Sequence, residues 1–227
     1  MKSTYESKDL KTQTPVQETF RIAAILAVVG GFLDAYTYLL RGGVFANAQT
    51  GNIVLLGIHL ADRNIVEAGY YIIPILAFAS GVFLTEVFKK YFSTKEFHEY
   101  EHYIIMVEIA LLAAIGFLPA DIPNIAVNVS ISFVCSLQAN SFRKMKELPF
   151  ATTMCTGNLR AGTEKLFRYL CRKEKRAGIQ AAHYFGIIGL FVAGAALGSI
   201  LSGPMGEKSI WLCSVLLMVV LAMMKRS

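Results

Sequence analysis

Six stretches of this chain are long and apolar enough to lie within a lipid bilayer: residues 20–40, 70–88, 103–119, 122–142, 181–202 and 209–224. A hydrocarbon core about 30 Å thick takes a helix of roughly 17–25 residues, and inside it each segment must satisfy its own backbone polar groups. That condition limits the fold more than anything else in the sequence. Charged residues make up 17% of the chain and hydrophobic ones 55%, whereas an ordinary soluble domain is about 25% charged. The sequence therefore predicts an all-α polytopic membrane protein.

Two polar phrases interrupt this pattern. FANAQTGN begins at Phe45, and FATTMCTGN begins at Phe150. The segments they open, near residues 48–61 and 154–170, are poor spans. TGNIVLLGIHLA is apolar but only a dozen residues long, about 18 Å of helix. TGNLRAGTEKLFRYL carries Arg160, Glu164, Lys165 and Arg168, so it cannot face lipid along its whole length. Both are expected to be short re-entrant or broken helices.

The distribution of basic residues chooses between topologies, because Lys and Arg concentrate on the cytoplasmic side. With six spans and both TGN segments returning to their own side, only Arg41, Arg63 and Lys208 of the 22 Lys and Arg residues lie outside. With eight spans, KKYFSTK (from Lys89) and RKMK (from Arg143) face outward as well. Six spans with cytoplasmic termini fit better. The first half then runs span, TGN hairpin, span, span from the cytoplasm, and the second half repeats that order from the exterior. The expected organisation is a cytosolic tail (1–19) and two inverted halves (20–119 and 120–227), an arrangement found in transporters. The tail mixes both charge signs with Ser and Thr, unlike a secretory signal peptide.

The repeat extends beyond one tripeptide. Asp34 and Asn140 each lie sixteen residues before the TGN threonine, and FASGVFL (from Phe78) is followed in the second half by FVAGAAL (from Phe191). Together GGFLDAYTYL, FANAQTGNIVLLG, LQANSFRK and LPFATTMCTGNLRAG resemble the DUF1275, or YoaK, family of bacterial membrane proteins, from about Phe20 to the C-terminus. Many members carry adjacent Gln-Asn in the second motif, whereas here Ala139 separates Gln138 from Asn140. The resemblance implies the fold and a bacterial inner-membrane location; it implies no activity.

The chemistry expected of the TGN phrase follows from helix ends. A helix that begins inside the bilayer leaves its first N–H groups bare. Thr50 and Thr156 are expected to cap them, Gly51 and Gly157 to permit the turn, and Asn52 and Asn158 to bond the neighbouring breach. Two such helix starts would aim their positive dipole ends at one place, which suits a small polar or anionic solute. Asp34, well inside the first span, is expected either to carry protons or touch substrate, or to clasp the N–H groups near Thr50. Gln138 and Asn140 hold the corresponding level of the second half, without charge.

The remaining polar residues read more simply. Glu108 lies about one turn from the cytoplasmic end of its span and is expected to snorkel; Glu86 is expected to pair with Lys89 and Lys90; His59 reads as a solvated interfacial residue. Cys135, Cys155, Cys171 and Cys213 lack paired spacing and read as free thiols. RYLCRKEKR (from Arg168) suits anionic lipid head groups, and with the basic residues beside apolar spans the net charge of +6 does not suggest nucleic acid. Small residues in GIIGLFVAGAALGS suit close helix packing, within one chain or in a homo-oligomer. HEYEH, His98 to His102, matches the zinc-protease pattern H-E-x-x-H, but it sits in a short charged linker without an evident third ligand. The functional expectation is a transporter or channel lined by Asp34 and the two TGN breaches, and not an enzyme. A non-transporting scaffold or sensor is the alternative, and a zinc protease using His98, Glu99 and His102 ranks last. No cofactor is expected.

Overall fold

The computed structural model describes residues 19–91, 100–119, 121–145, 148–150 and 155–225. Among the described residues eight α-helices follow one another: α1 (Phe20–Leu40), α2 (Gln49–Ala61), α3 (Ile65–Tyr91), α4 (Tyr100–Ile115), α5 (Asn124–Ser141), α6 (Cys155–Arg172), α7 (Lys175–Met205) and α8 (Trp211–Lys225). A 3-10 turn, Gly206–Ile210, joins α7 to α8. The other regular element is a two-residue antiparallel hairpin, β1 (Lys144–Met145) with β2 (Leu148–Pro149). The protein is thus almost wholly helical.

Each apolar stretch expected to span is a helix. By length and composition, α1, α3 and the near-continuous stretch Lys175–Lys225 are long and apolar enough to cross a membrane. At 16 residues α4 is about 24 Å long. α5 has 18 residues and turns Asn128, Ser132, Ser136 and Gln138 inward.

α1 is the central helix. Two-thirds of its apolar window is buried inside the protein, against about a fifth in α3 and in Lys175–Lys225. Its Leu26, Phe32, Leu33 and Tyr36 join one core with Ile105 and Leu112 of α4, Ile131 of α5, and Leu217 and Val220 of α8. On its other side Ala23 and Ala27 meet Tyr184 and Ile187 of α7, together with Phe150. The helix stops where Gly42 (φ +82°) and Gly43 (φ +75°) follow one another in the left-handed region, which glycine enters at no steric cost.

The packing partners are paired across the two halves of the chain. α1 lies along α7, and α5 lies along α3. α2 packs on α3 as α6 packs on α7; α4 packs on α5 as α8 packs on α1; and α4 and α8 meet each other. Glycines permit close approaches in both of the long pairs, α3 with α5 and α1 with α7. A methyl group on Gly81 would collide with Ser136 Oγ and come within 2.7 Å of the Phe133 carbonyl oxygen. One on Gly194 would collide with the Val28 carbonyl. These are the glycines of FASGVFL and FVAGAAL, and each lets a helix backbone touch the helix it lies along.

Arg41, one of the three basic residues expected on the outer side, is 1% exposed. The glycine turn folds the chain back at this point, and the arginine is enclosed. Its Nη2 donates to the Tyr36 hydroxyl at 3.4 Å and approaches Glu207 at 4.0 Å, while Asn128 Nδ2 donates to its carbonyl at 2.8 Å. The end of α1 is thereby tied to α5 and to the turn before α8.

Candidate functional site

The loop between α1 and α2 carries the FANA part of the first phrase, and the amides there are satisfied one after another. Phe45 N–H donates to Asn52 Oδ1 at 3.0 Å, and Ala46 N–H donates to Thr37 Oγ1 at 3.3 Å. Asn47 and Ala48 N–H both donate to Asp34 Oδ1, at 2.7 and 3.4 Å. Gln49 N–H closes on the Asn47 carbonyl at 2.9 Å. Irregular backbone at membrane depth must find such partners. Here α1 supplies two of the side chains and α2 the third.

Thr50 has a different role from the one expected. The N-cap of α2 is Ala48, whose own side chain makes no capping bond, and Thr50 is exposed within the first turn. The bare donors lie one loop earlier, at Asn47 and Ala48, where a carboxylate on α1 reaches them. Gly51 is required for packing rather than for turning: a Cβ there would lie 2.9 Å from the Phe45 ring. That ring in turn stacks on Tyr38, with centroids 4.9 Å apart. Asn52 is fully buried and clips its own loop, donating to the Phe45 carbonyl at 2.6 Å and to Gln49 Oε1 at 2.9 Å.

The second phrase is described from Cys155 onward. Asn158 and Gly162 are the buried residues of α6, as Asn52 is the buried residue of α2. Thr156 and Gly157 are exposed in the first turn, and a Cβ on Gly157 would meet nothing within 4 Å. The two TGN glycines therefore do different things.

One partly open cavity of about 580 Å³ brings the phrases together. Asp34, Asn47 and Thr50 line it from the first half, and Cys155, Thr156 and Gly157 from the second. Phe78 of α3 and Phe191 of α7, the first residues of FASGVFL and FVAGAAL, complete its walls with Tyr38 and Phe45. Asp34 is 5% exposed, and its Oδ2 is buried without a hydrogen-bond partner. Asn47 Oδ1 is likewise without one. Asn47, Cys155 and the four aromatic residues were not singled out as site residues. For Phe78 and Phe191 a signal existed, since both head the repeat's third matching element.

Gln138 and Asn140 lie away from this cavity. Gln138 Nε2 donates to both oxygens of Glu108, at 3.0 and 3.1 Å, and Glu108 is fully buried. The snorkelling expectation for Glu108 fails because the residue falls in the buried row Ile104, Ile105, Glu108, Leu112, Ile115 of α4. Nothing in the sequence marks that row, because Tyr103, Met106 and Val107 on the exposed side are apolar as well. Asn140 Nδ2 donates to Glu86 Oε1 at 2.8 Å, and Lys89 Nζ donates to both Glu86 and the Asn140 carbonyl, at 2.8 and 2.9 Å. Glu86 thus pairs with Lys89 as expected, while Lys90 lies over the Tyr91 ring. His59 stacks on Tyr71 at 5.4 Å. Arg168 of the basic run bonds Glu174 at 2.7 Å, closing the turn from α6 to α7.

All four cysteines are free. His98 and Glu99 lie outside the described residues; among the described residues no group of three His, Cys, Asp or Glu side chains could hold a metal ion.

A family model described as a protein of unknown function, DUF1275, matches residues 22–223. A curated relative, the UPF0700 transmembrane protein YoaK of Bacillus subtilis (strain 168), is 23% identical over 202 residues, covering 86% of this chain and 89% of the relative. No solved structure matches the chain.

Proposed function

Because the chain belongs to the DUF1275 family, we propose that it is a bacterial cell-membrane transporter or channel for a small polar solute, whose path runs through the cavity at Asp34. One observation carries this reading. Residues at equivalent places of the two halves line a single cavity: Gln49 with Cys155, Thr50 with Thr156, and Phe78 with Phe191. A purely structural helix end has no need to share a hollow with its counterpart about a hundred residues away.

The proposed topology is six spans, with both termini cytoplasmic and the two halves inverted. Its supports are the distribution of Lys and Arg, the paired packing of α1 on α7 and α5 on α3, and the matching close contacts at Gly81 and Gly194. The length of α2, about 20 Å, and the charged residues Arg160, Glu164, Lys165 and Arg168 along α6 suit segments that do not cross fully. The family relative's description as a transmembrane protein agrees with this placement.

A second reading rests on Asp34 Oδ1. Its bonds to Asn47 and Ala48 are sufficient reason to keep a carboxylate there, and a membrane scaffold or sensor would need the same clasp. The two readings separate when the purified protein is reconstituted and solute-driven swelling or current is recorded with a panel of small solutes. Thr50→Trp fills the cavity from an exposed position, so it should abolish flux without changing the melting temperature. Absence of any protein-dependent flux, or flux indifferent to that substitution, favours the scaffold.

A further inference from the structure

Resting on the transport reading, we propose that the ligand of the cavity is a small organic cation bearing an N–H donor, a protonated amine with an apolar body. The hydrogen-bonding inventory of the wall points that way. Its unpartnered buried polar atoms are both acceptors, Asp34 Oδ2 and Asn47 Oδ1. The nearby amide donors are committed elsewhere: Asn47 Nδ2 to the Gly30 carbonyl at 3.3 Å, and Gln49 Nε2 to the Ala46 carbonyl at 2.9 Å. A ligand that completes this wall must donate.

Charge gives the same sign. Among the described residues no Lys or Arg lines the cavity. The positive end of α2, which by itself would favour an anion, is already taken by Asp34 Oδ1 through Asn47 and Ala48. An anion entering here meets a carboxylate without a compensating cation. The anionic option opened by two helix starts is therefore closed on the first-half side, and a cation gains where an anion loses.

The rest of the wall specifies the body of the ligand. Tyr38, Phe45, Phe78 and Phe191 present aromatic rings, which bury apolar groups and attract a cation held over their faces. A volume of about 580 Å³ falls within the range of about 300–1,000 Å³ usual for small-molecule sites. A quaternary ammonium would satisfy the rings but bring no N–H to Asp34 or Asn47. The site should prefer primary to tertiary amines over their quaternary counterparts.

Four probes of one shape test this on the full chain in lipid nanodiscs, with empty nanodiscs as blank: benzylamine, benzyltrimethylammonium, benzyl alcohol and benzoate, titrated at pH 7 by calorimetry. Benzylamine should bind at least about tenfold more tightly than the alcohol or the quaternary ion, as loss of a charge-assisted hydrogen bond predicts. Benzoate should not bind. Asp34→Asn keeps an oxygen for the Asn47 and Ala48 amides while removing the charge, so it should erase the preference; its melting temperature shows that it is folded. Thr50→Trp, outside the clasp, should block all binding. Benzylamine binding indifferent to Asp34→Asn overturns the proposal, as does tighter binding of benzoate or binding of no probe. Flux measured with the same four compounds distinguishes the two levels. Benzoate flux blocked by Thr50→Trp would sink the cation site and leave transport standing. Amine binding with no flux of any compound would do the reverse.

Discussion

Asp34 Oδ1 accepts the Asn47 amide at 2.7 Å across thirteen residues of chain, joining the middle of α1 to the loop that precedes α2. One oxygen of a nearly buried carboxylate thus holds irregular backbone in place, while the other is left without a partner. Structural and functional roles divide between two atoms of one side chain. The consequences are separable by substitution.

Asp34→Ala removes the acceptor and leaves the Asn47 and Ala48 donors bare. An unsatisfied buried group costs about 1–3 kcal/mol, so thermal unfolding in detergent should show a clear loss of stability. Asp34→Asn retains an oxygen at that place and should lose much less. Equal loss in both variants would mean that the clasp is not what the carboxylate contributes.

Gly81 and Gly194 should behave alike and unlike their neighbours. Alanine at either meets backbone or a hydroxyl of the helix beneath it, and overpacking of this kind costs about 1–3 kcal/mol. Gly189→Ala and Gly203→Ala, where an added methyl meets nothing within 4 Å, should be neutral or slightly stabilising, because alanine is the better helix former. Melting temperatures of the four single variants decide the matter.

Among the described residues, Gln138 is the hydrogen-bond partner of the Glu108 carboxylate. Gln138→Leu should destabilise, because it leaves the buried Glu108 carboxyl without its amide donor, and an unsatisfied buried group costs about 1–3 kcal/mol. Glu108→Gln removes the charge, keeps an amide for Gln138 to bond, and should be near neutral. A double-mutant cycle with Glu108→Leu and Gln138→Leu should show the two changes to be strongly coupled; additive losses would remove the pair from the core's account.

Topology is open to direct measurement. Phe97, outside the described residues, can be replaced by a single cysteine in a background lacking the four native ones. A membrane-impermeant thiol reagent should then reach it from the cytoplasmic side. Labelling from the exterior would make both TGN segments cross, and the two halves would be parallel rather than inverted.

How much of this was legible in the sequence differs from element to element. The first expected span, residues 20–40, coincides with α1, because a charged residue and two glycines end a continuous apolar run. α3 and α7 run past the stretches assigned to them, 70–88 and 181–202, because amphipathic ends continue as helix once the apolar part is held. The TGN phrases marked a real junction, yet the capping role given to Thr50 belongs to Asp34. A local motif does not reveal that the acceptor comes from a neighbouring helix. Glu108 lies near the end of its span, yet the rotation of α4 turns it into the buried row.

The sequence by itself determined that the chain is helical, where its apolar segments lie, and that its two halves carry the same order of motifs. These properties depend on composition and spacing along the chain, which decide what a segment can do in an apolar medium. Tertiary structure alone decided which polar atoms meet: Asp34 with Asn47, Glu108 with Gln138, and Arg41 with Tyr36 and Glu207. It also decided that residues of both TGN phrases share one cavity. The physical reason is rotational. Helices apolar on every side, such as α1 and α4, carry no amphipathic stripe to show which face turns inward. Each polar side chain therefore finds its partner only when packing fixes the rotation of its helix.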